Sequence, residues 1–318
     1  MTEQSVVAID LGGSSMKGAL VAADGTALAR VDAPTPAAAG GQAVLAAALD
    51  LARRLAAAAD PGRVVAAAAI TPGQVHEGVV RFAANVGFRD VPLAAELSTA
   101  LGVPAAVEHD AAGAALAEAA HGSRGDDCLF VALGTGIGSG HVRGGAVATG
   151  STGGAGELGH IPVYPDGEPC ACGQLGCLEV YASAAGVARR YAAARRAAAT
   201  NADAPVAHDA SADEVVARLG NDPMARAVWA KAIEALALAL ATTTLLVDPG
   251  VIVLGGGLAG AGDALRKPLS GRLAARLAWR QPPPLELSAL GTDAGWRGAS
   301  LLAWSVAPAV AAPVGAAP

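Results

Sequence analysis

Short apolar runs separated by turn residues open the chain: SVVAIDL, the Gly-Gly-Ser-Ser turn at 12–15, a second run to about residue 22, an Ala-Asp-Gly turn, and a third run. Runs of this length between turn signals predict strands joined as hairpins. The segment CLFVALGTGIGSGHVRGGAVATG, from Cys128 onward, repeats the scheme of run, glycine turn, run, Arg-Gly-Gly turn and run. Two such starts, so far apart in one chain, point to two related α/β domains or, equally, to two unrelated hairpins. Alanine-rich segments at 42–59, 92–101 and 111–121 predict helices, and RVVAAAAIT a strand. A short strand is expected to end at Glu108–Asp110, with a helix opening at once behind it. Further helices are expected over 183–199 and 211–247, then a buried strand, a Gly-Gly-Gly turn and a helix start in GVIVLGGGLAGAGDAL.

A length of 318 residues exceeds what one hydrophobic core usually serves. The division read from the sequence is 1–122, joined by a C-terminal helix at about 298–308, then 123–297, then 309–318. That last stretch is low-complexity and rich in proline, and is expected to be disordered. Apolar residues reach 53%, which raises a membrane reading, but much of this is alanine. The longest apolar stretch, VWAKAIEALALALATTTLLVD, carries Lys231, Glu234 and three threonines, which fits a buried helix better than a span. The N-terminus has no basic start followed by a long apolar region, so no signal peptide is read and a cytoplasmic protein is expected. A net charge of −6 argues against a nucleic-acid partner, and 3% aromatics against stacking platforms.

His160, Cys170, Cys172 and Cys177 put one imidazole and three thiols within eighteen residues. A Cys₃His set is a common closed ligand set for structural zinc. The C-x-C spacing brings two sulfurs together on one loop, and Gly173 and Gly176 let the chain turn toward the third. Other readings compete. A redox pair prefers C-x-x-C, which is absent here, and an iron–sulfur cluster needs a fourth thiolate, whereas Cys128 lies on a predicted strand. Three unrelated buried thiols are the bland alternative; zinc fits the ligand types best.

Glycine turns after strands let backbone N–H groups approach a phosphate. Three occur: Gly12-Gly13-Ser14, Gly134 to Gly140, and Gly255-Gly256-Gly257. None is a P-loop, and the segment after residue 139 reads as strand rather than helix, against a dinucleotide fold. Asp110, at a strand end before a helix, reads equally as an N-cap or a general base. Asp10 reads as a functional carboxylate or an ordinary strand-end turn residue, and Glu157 and Glu179 as carboxylates able to accept from neighbouring hydroxyls or as solvated surface groups.

In their order, AIDLGGSSMKGAL, EHDAAGAALAEAAHG, LGTGIGSG, GELGHIPV, CACGQLGCLE and VIVLGGGLAGAGDAL resemble the motifs of the ROK family of sugar kinases and their repressor relatives, over roughly residues 5–305. The resemblance implies an actin-like ATPase (ribonuclease H-like) fold, duplicated in two domains with a cleft between them, and ATP-dependent phosphorylation of a hexose. It implies Asp110 as general base and Asp10 as the carboxylate that orients Mg²⁺ through water. Gly12, Gly13, Ser14, Ser15 and Lys17 would form the first phosphate segment, Gly134, Thr135, Gly136 and Gly138 the second. Gly256 and Gly257 would lie near the adenosine. Gly73, Asn85, His109, Asp110, Glu157, His160 and Glu179 would face the sugar, with His160 also a ligand of structural Zn²⁺. A homodimer or homotetramer is implied, with glucose as the first candidate and an N-acyl-hexosamine as another. Repressor members carry a helix-turn-helix ahead of this body; the first strand here begins near residue 5, which favours an enzyme over a sugar sensor. Three departures stand out: His109 where the family usually has Asn, Lys17 displaced in Gly-Gly-Ser-Ser-Met-Lys, and Ser139 in place of a glycine. The serine form of the first turn resembles polyphosphate-using glucokinases, but these lack the cysteine loop, so ATP is the expected donor and polyphosphate a lesser candidate.

Overall fold

A computed structural model describes residues 4–60, 63–122, 125, 127–198 and 210–308. The expectation for the tail at 309–318 falls outside them, as does residue 199 of the predicted helix. The chain forms two compact units: Met1–Ala117 with Thr149–Gly154 and Asp293–Pro318, and Glu118–Ala148 with Ala155–Thr292.

The first unit contains, in chain order, β1 (Ser5–Leu11), β2 (Ser15–Ala22), β3 (Ala27–Pro34), α1 (Gly41–Ala57) and β4 (Val64–Thr71). There follow β5 (Gln74–His76), β6 (Val79–Ala83), β7 (Phe88–Val91), α2 (Leu93–Leu101), β8 (Ala105–His109) and α3, which runs from Asp110 to His121. The main sheet has the order β3-β2-β1-β4-β8. The β1–β2 and β2–β3 pairs are antiparallel, while β1–β4 and β4–β8 are parallel. Strands β5, β6 and β7 make a separate small sheet that the sequence reading did not anticipate.

Burial follows position in the sheet. The edge strand β3 alternates between half-buried and exposed, as a strand solvated on one face should. The central β1 is buried almost throughout, because both of its faces are covered. Val7, Ile9 and Leu11 face a core shared with Leu51 and Leu55 of α1 and Leu97 of α2. Val6 and Ala8 face the opposite core, built with Trp296, Ala299 and Ala303. A continuous apolar run is therefore the mark of a strand between two layers.

The second unit contains β9 (Asp127–Leu133), β10 (Ile137–Arg143), β11 (Ala146–Val147), α4 (Leu178–Ala182) and α5 (Ala184–Ala198). It continues with α6 (Ala212–Ala217), α7 (Pro223–Val247), β12 (Val251–Gly255), α8 (Asp263–Arg276) and β13 (Leu285–Leu287). Its sheet has the order β11-β10-β9-β12-β13. The pairing is antiparallel, antiparallel, parallel, parallel, as in the first unit. This repeated sheet is the duplicated architecture of the actin-like ATPase fold, and its hairpin starts are the two patterns visible in the sequence.

The helix expected over 211–247 is two helices. Gly220 and Pro223 interrupt it, and Asp222 caps the second piece by accepting from Met224 N at 2.7 Å and Ala225 N at 3.3 Å. The Tyr191 hydroxyl donates to the other Asp222 oxygen, so this break is held by tertiary structure. The predicted helix at 183–199 likewise begins anew at α5, where Ser183 Oγ accepts from Gly186 N at 2.9 Å. By length and composition α7 could cross a membrane. Instead Leu236, Ala237, Ala239 and Leu240 are fully buried in the core of the second unit.

The last helix, α9 (Ala294–Val306), returns to the first unit and covers the β1–β4 face. It approaches α3 so closely that a side chain at Gly298 would collide with the carbonyl of Gly113. Gly298→Ala should therefore cost about 1–3 kcal/mol by overpacking, read as a lower thermal or denaturant midpoint. An unchanged midpoint would contradict this packing.

Candidate active site

The parallel strands β1, β4 and β8 end at one edge of the first sheet. Asp10 lies beside Ile70, and Thr71 beside His109, so Asp10 and the His109–Asp110 pair share that edge. Such carboxyl ends of parallel strands are where open α/β sheets gather ligands. The Asp10 carboxyl is pushed up to about 6, first by burial and then by the negative charge of Asp110, with Lys17 opposing. Lys17 is directly opposite Asp10 in the β1–β2 register.

Asp110 does not behave as an ordinary N-cap, which would reach the second or third N–H of its helix. Its Oδ1 accepts from the adjacent Ala111 N at 2.6 Å, and His109 Nε2 lies 3.3 Å from the same oxygen. The side chain is 42% exposed, so it keeps room for a ligand. The first glycine turn closes through Gly12 N to Ser15 O at 3.0 Å. Thr35 braces it, its hydroxyl donating to Gly12 O at 2.7 Å and its N–H to Ser14 O at 3.0 Å. Asn85 packs against Gly13. Gly73 turns the chain between β4 and β5 against the carbonyl of Phe82. Thr35 escaped the sequence reading, since a threonine between prolines carries no recognisable signal.

The other residues singled out in the sequence lie in the second unit. After β9, Gly134 N donates to Gly136 O at 3.0 Å, closing the second glycine turn. Glu179, expected to face a sugar, has Oε2 engaged by Ile137 N at 3.0 Å, so it braces this turn. Gly256 lies against the Leu133 backbone, bringing the Gly-Gly-Gly turn after β12 beside the turn after β9. Ser139, the departure in the second loop, bonds Gly156 O through its N–H at 2.8 Å and its hydroxyl at 3.0 Å. That fastens β10 to the segment carrying Glu157 and His160. His160 faces two ways, with Nε2 3.9 Å from Glu157 Oε2 and Nδ1 3.9 Å from Cys170 Sγ.

His160, Cys170, Cys172 and Cys177 offer four donor atoms within 4.8 Å of one another, and all four cysteines of the chain are free thiols. Cys172 and Cys177 have their sulfurs 3.7 Å apart. Two thiolates on a tetrahedral zinc, each at about 2.3 Å, stand roughly 3.8 Å apart. The Cys177 thiol is pushed up to about 12, first by burial and then by hydrogen bonds with Cys172 and Cys170. Three crowded thiols resist ionising together unless a cation joins them, so the donor set fits Zn²⁺. The loop is shaped for this: Gly176 has φ +70°, and a side chain there would collide with Tyr164 O. Leu178 N donates to Ile161 O at 2.9 Å, closing the loop on the His160 segment.

The ROK family model matches residues 6–306. The chain is 33% identical over 314 residues to a glucokinase of Halalkalibacterium halodurans, covering 93% of each. It is 32% identical over 259 residues to an N-acetylmannosamine kinase of Escherichia fergusonii, covering 79% of this chain and 82% of that one. Among solved structures, a ROK family glucokinase from Streptomyces griseus in complex with glucose and AMPPNP superposes with a TM-score of 0.81. The identity is 28%, over 95% of this chain and 99% of that one.

Elemental analysis of the purified chain should find about one zinc per molecule, as a single Cys₃His site requires. Cys177→Ser should lose it and lower the melting midpoint. Full-length protein that carries no metal, and whose midpoint a chelator leaves unmoved, would refute the site.

Proposed function

We infer that this chain, which belongs to the ROK family and is an ATP-dependent sugar kinase, phosphorylates the 6-hydroxyl of a hexose, glucose first. The observation that carries the reading is Asp110: a half-exposed carboxylate at the strand edge, with one oxygen held and the other without a partner among the described residues.

Phosphoryl transfer needs little covalent chemistry from the protein and much positioning. Asp110 accepts the proton of the sugar hydroxyl as that oxygen attacks the γ-phosphorus. The glycine turns at 12–13 and 134–136 supply backbone N–H groups for phosphate oxygens, and Lys17 adds positive charge. Gly256 and Gly257 serve the adenosine side. Mg²⁺ carried with ATP would neutralise charge on the transferred group, and the crowded Asp10–Asp110 carboxyls fit a nearby dication. Asp10 is the residue to hold it through water.

On the sugar side, the family pattern is the support for Gly73, Asn85, Glu157, His160 and Glu179 as the residues that serve the hydroxyls. Glu179 does so through Oε1, its Oε2 being committed to Ile137. Zn²⁺ at the cysteine cluster would do no chemistry; it would fix the ring of His160 and, through it, Glu157. Family kinship is the support for a cytoplasmic homodimer or homotetramer. A second reading, an N-acyl-hexosamine kinase, draws support from the likeness to the N-acetylmannosamine kinase.

A coupled assay of ADP release from Mg·ATP over a panel of hexoses and N-acyl-hexosamines should give the highest kcat/KM with glucose. A preference for N-acetylmannosamine would favour the second reading. Measurable sugar binding without turnover of any member would overturn the kinase and leave a sugar sensor.

A further inference from the structure

His109 invites a role other than the sugar contact considered above. Its ring is 13% exposed, and Nε2 lies 3.3 Å from Asp110 Oδ1. Nδ1 is buried and has no partner among the described residues. Among the described residues, Asp110 lies beside the ring, and the Glu108 carboxylate accepts the His109 backbone N–H at 2.8 Å. The Glu108 carboxyl is itself raised, chiefly by burial.

A neutral imidazole carries one N–H and one bare nitrogen. With the proton on Nδ1, a buried donor would go unmet and a bare Nε2 would confront a carboxylate oxygen. With the proton on Nε2, the donor lies 3.3 Å from Oδ1, near it though not yet aligned on it, and only a bare nitrogen is buried, which costs less. The surroundings therefore select the Nε2–H tautomer.

We propose that His109 is a positioning residue for the transfer: its Nε2–H, together with the Ala111 N–H, holds Oδ1 of Asp110 and leaves Oδ2 as the oxygen that takes the sugar proton. The present 3.3 Å separation is one that tightens when substrate arrives, as catalytic hydrogen bonds commonly do. In the step itself, the hydroxyl proton passes to Oδ2, the oxygen lone pair forms the new O–P bond, and the bond between the γ-phosphorus and the bridging oxygen breaks with its electrons remaining on ADP. Without His109 the carboxylate can swing between two faces, and the fraction correctly aimed falls. The logic is that of any base oriented by a third group. This inference rests on the reading of Asp110 as general base.

The test compares full-length wild type with His109→Leu and His109→Gln, using the hexose turned over best. Leucine keeps bulk and removes the donor; glutamine can offer an N–H close to the Nε2 position. His109→Leu should lower kcat on the order of 10- to 100-fold, as expected for a misaimed reacting group, while the sugar KM stays nearly constant. His109→Gln should recover most of the loss. ¹⁵N spectra of the wild-type imidazole should report the Nε2–H tautomer, with a shift on Asp110→Asn substitution. A raised sugar KM at unchanged kcat, or an Nδ1–H tautomer, would overturn the proposal. Failure of every hexose to react would instead overturn the kinase reading, and the tautomer measurement would still decide the His109–Asp110 contact. It also decides the matter should His109→Leu fail to fold.

Discussion

The parallel pairing of β1 with β4, and again of β9 with β12, is the constraint on which the rest of the molecule depends. Parallel neighbours cannot be joined by a tight turn, so the chain must leave each sheet and return through helices. In the first unit the crossover helices α1 and α2 cover one face and the C-terminal α9 the other, so the central strand β1 is buried almost throughout. Parallel strands also end together, so whatever follows them is gathered at one edge. In the first unit that edge holds Asp10, the Gly12–Gly13 turn and the His109–Asp110 pair. In the second it holds the Gly134–Gly136 turn and the glycines after β12. The same sheet order, used twice, thus yields two similar edges furnished with different chemistry.

Much of this was legible beforehand because it depends on local signals. Glycine turns between apolar runs marked the hairpin starts of both sheets. The cysteine spacing marked the candidate metal loop, and its four donor atoms lie within 4.8 Å of one another. What could not be read depends on contacts distant in sequence. The break at Asp222 carries no local signal, because the residue is one more polar position in a helical stretch and Tyr191, distant in sequence, donates to its carboxylate. Glu179 was read by type as a sugar contact, but half of it is committed to the backbone of Ile137, 42 residues upstream. Ser139 looked like an erosion of a glycine loop, and is a clamp on Gly156. In each case the residue type was informative and its partner was not.

The proposed metal matters here for positioning. His160 touches the thiol cluster through Nδ1 and Glu157 through Nε2. A metal on one side of a ring fixes what the other side can hold. Ser139 anchors the same segment from β10 through Gly156, the residue before Glu157. Asp110 is fixed differently, by its place at the opening of α3 and by the approach of α9 at Gly298.

The central claim is that Asp110 is the base for phosphoryl transfer, and the most direct measurement pairs kinetics with binding on Asp110→Asn. The account predicts a loss of turnover on the order of 10²- to 10⁴-fold, the usual worth of a general base, with calorimetric sugar affinity close to that of the wild type. A variant that turns over at nearly the wild-type rate, or one that loses sugar binding as completely as turnover, would contradict it.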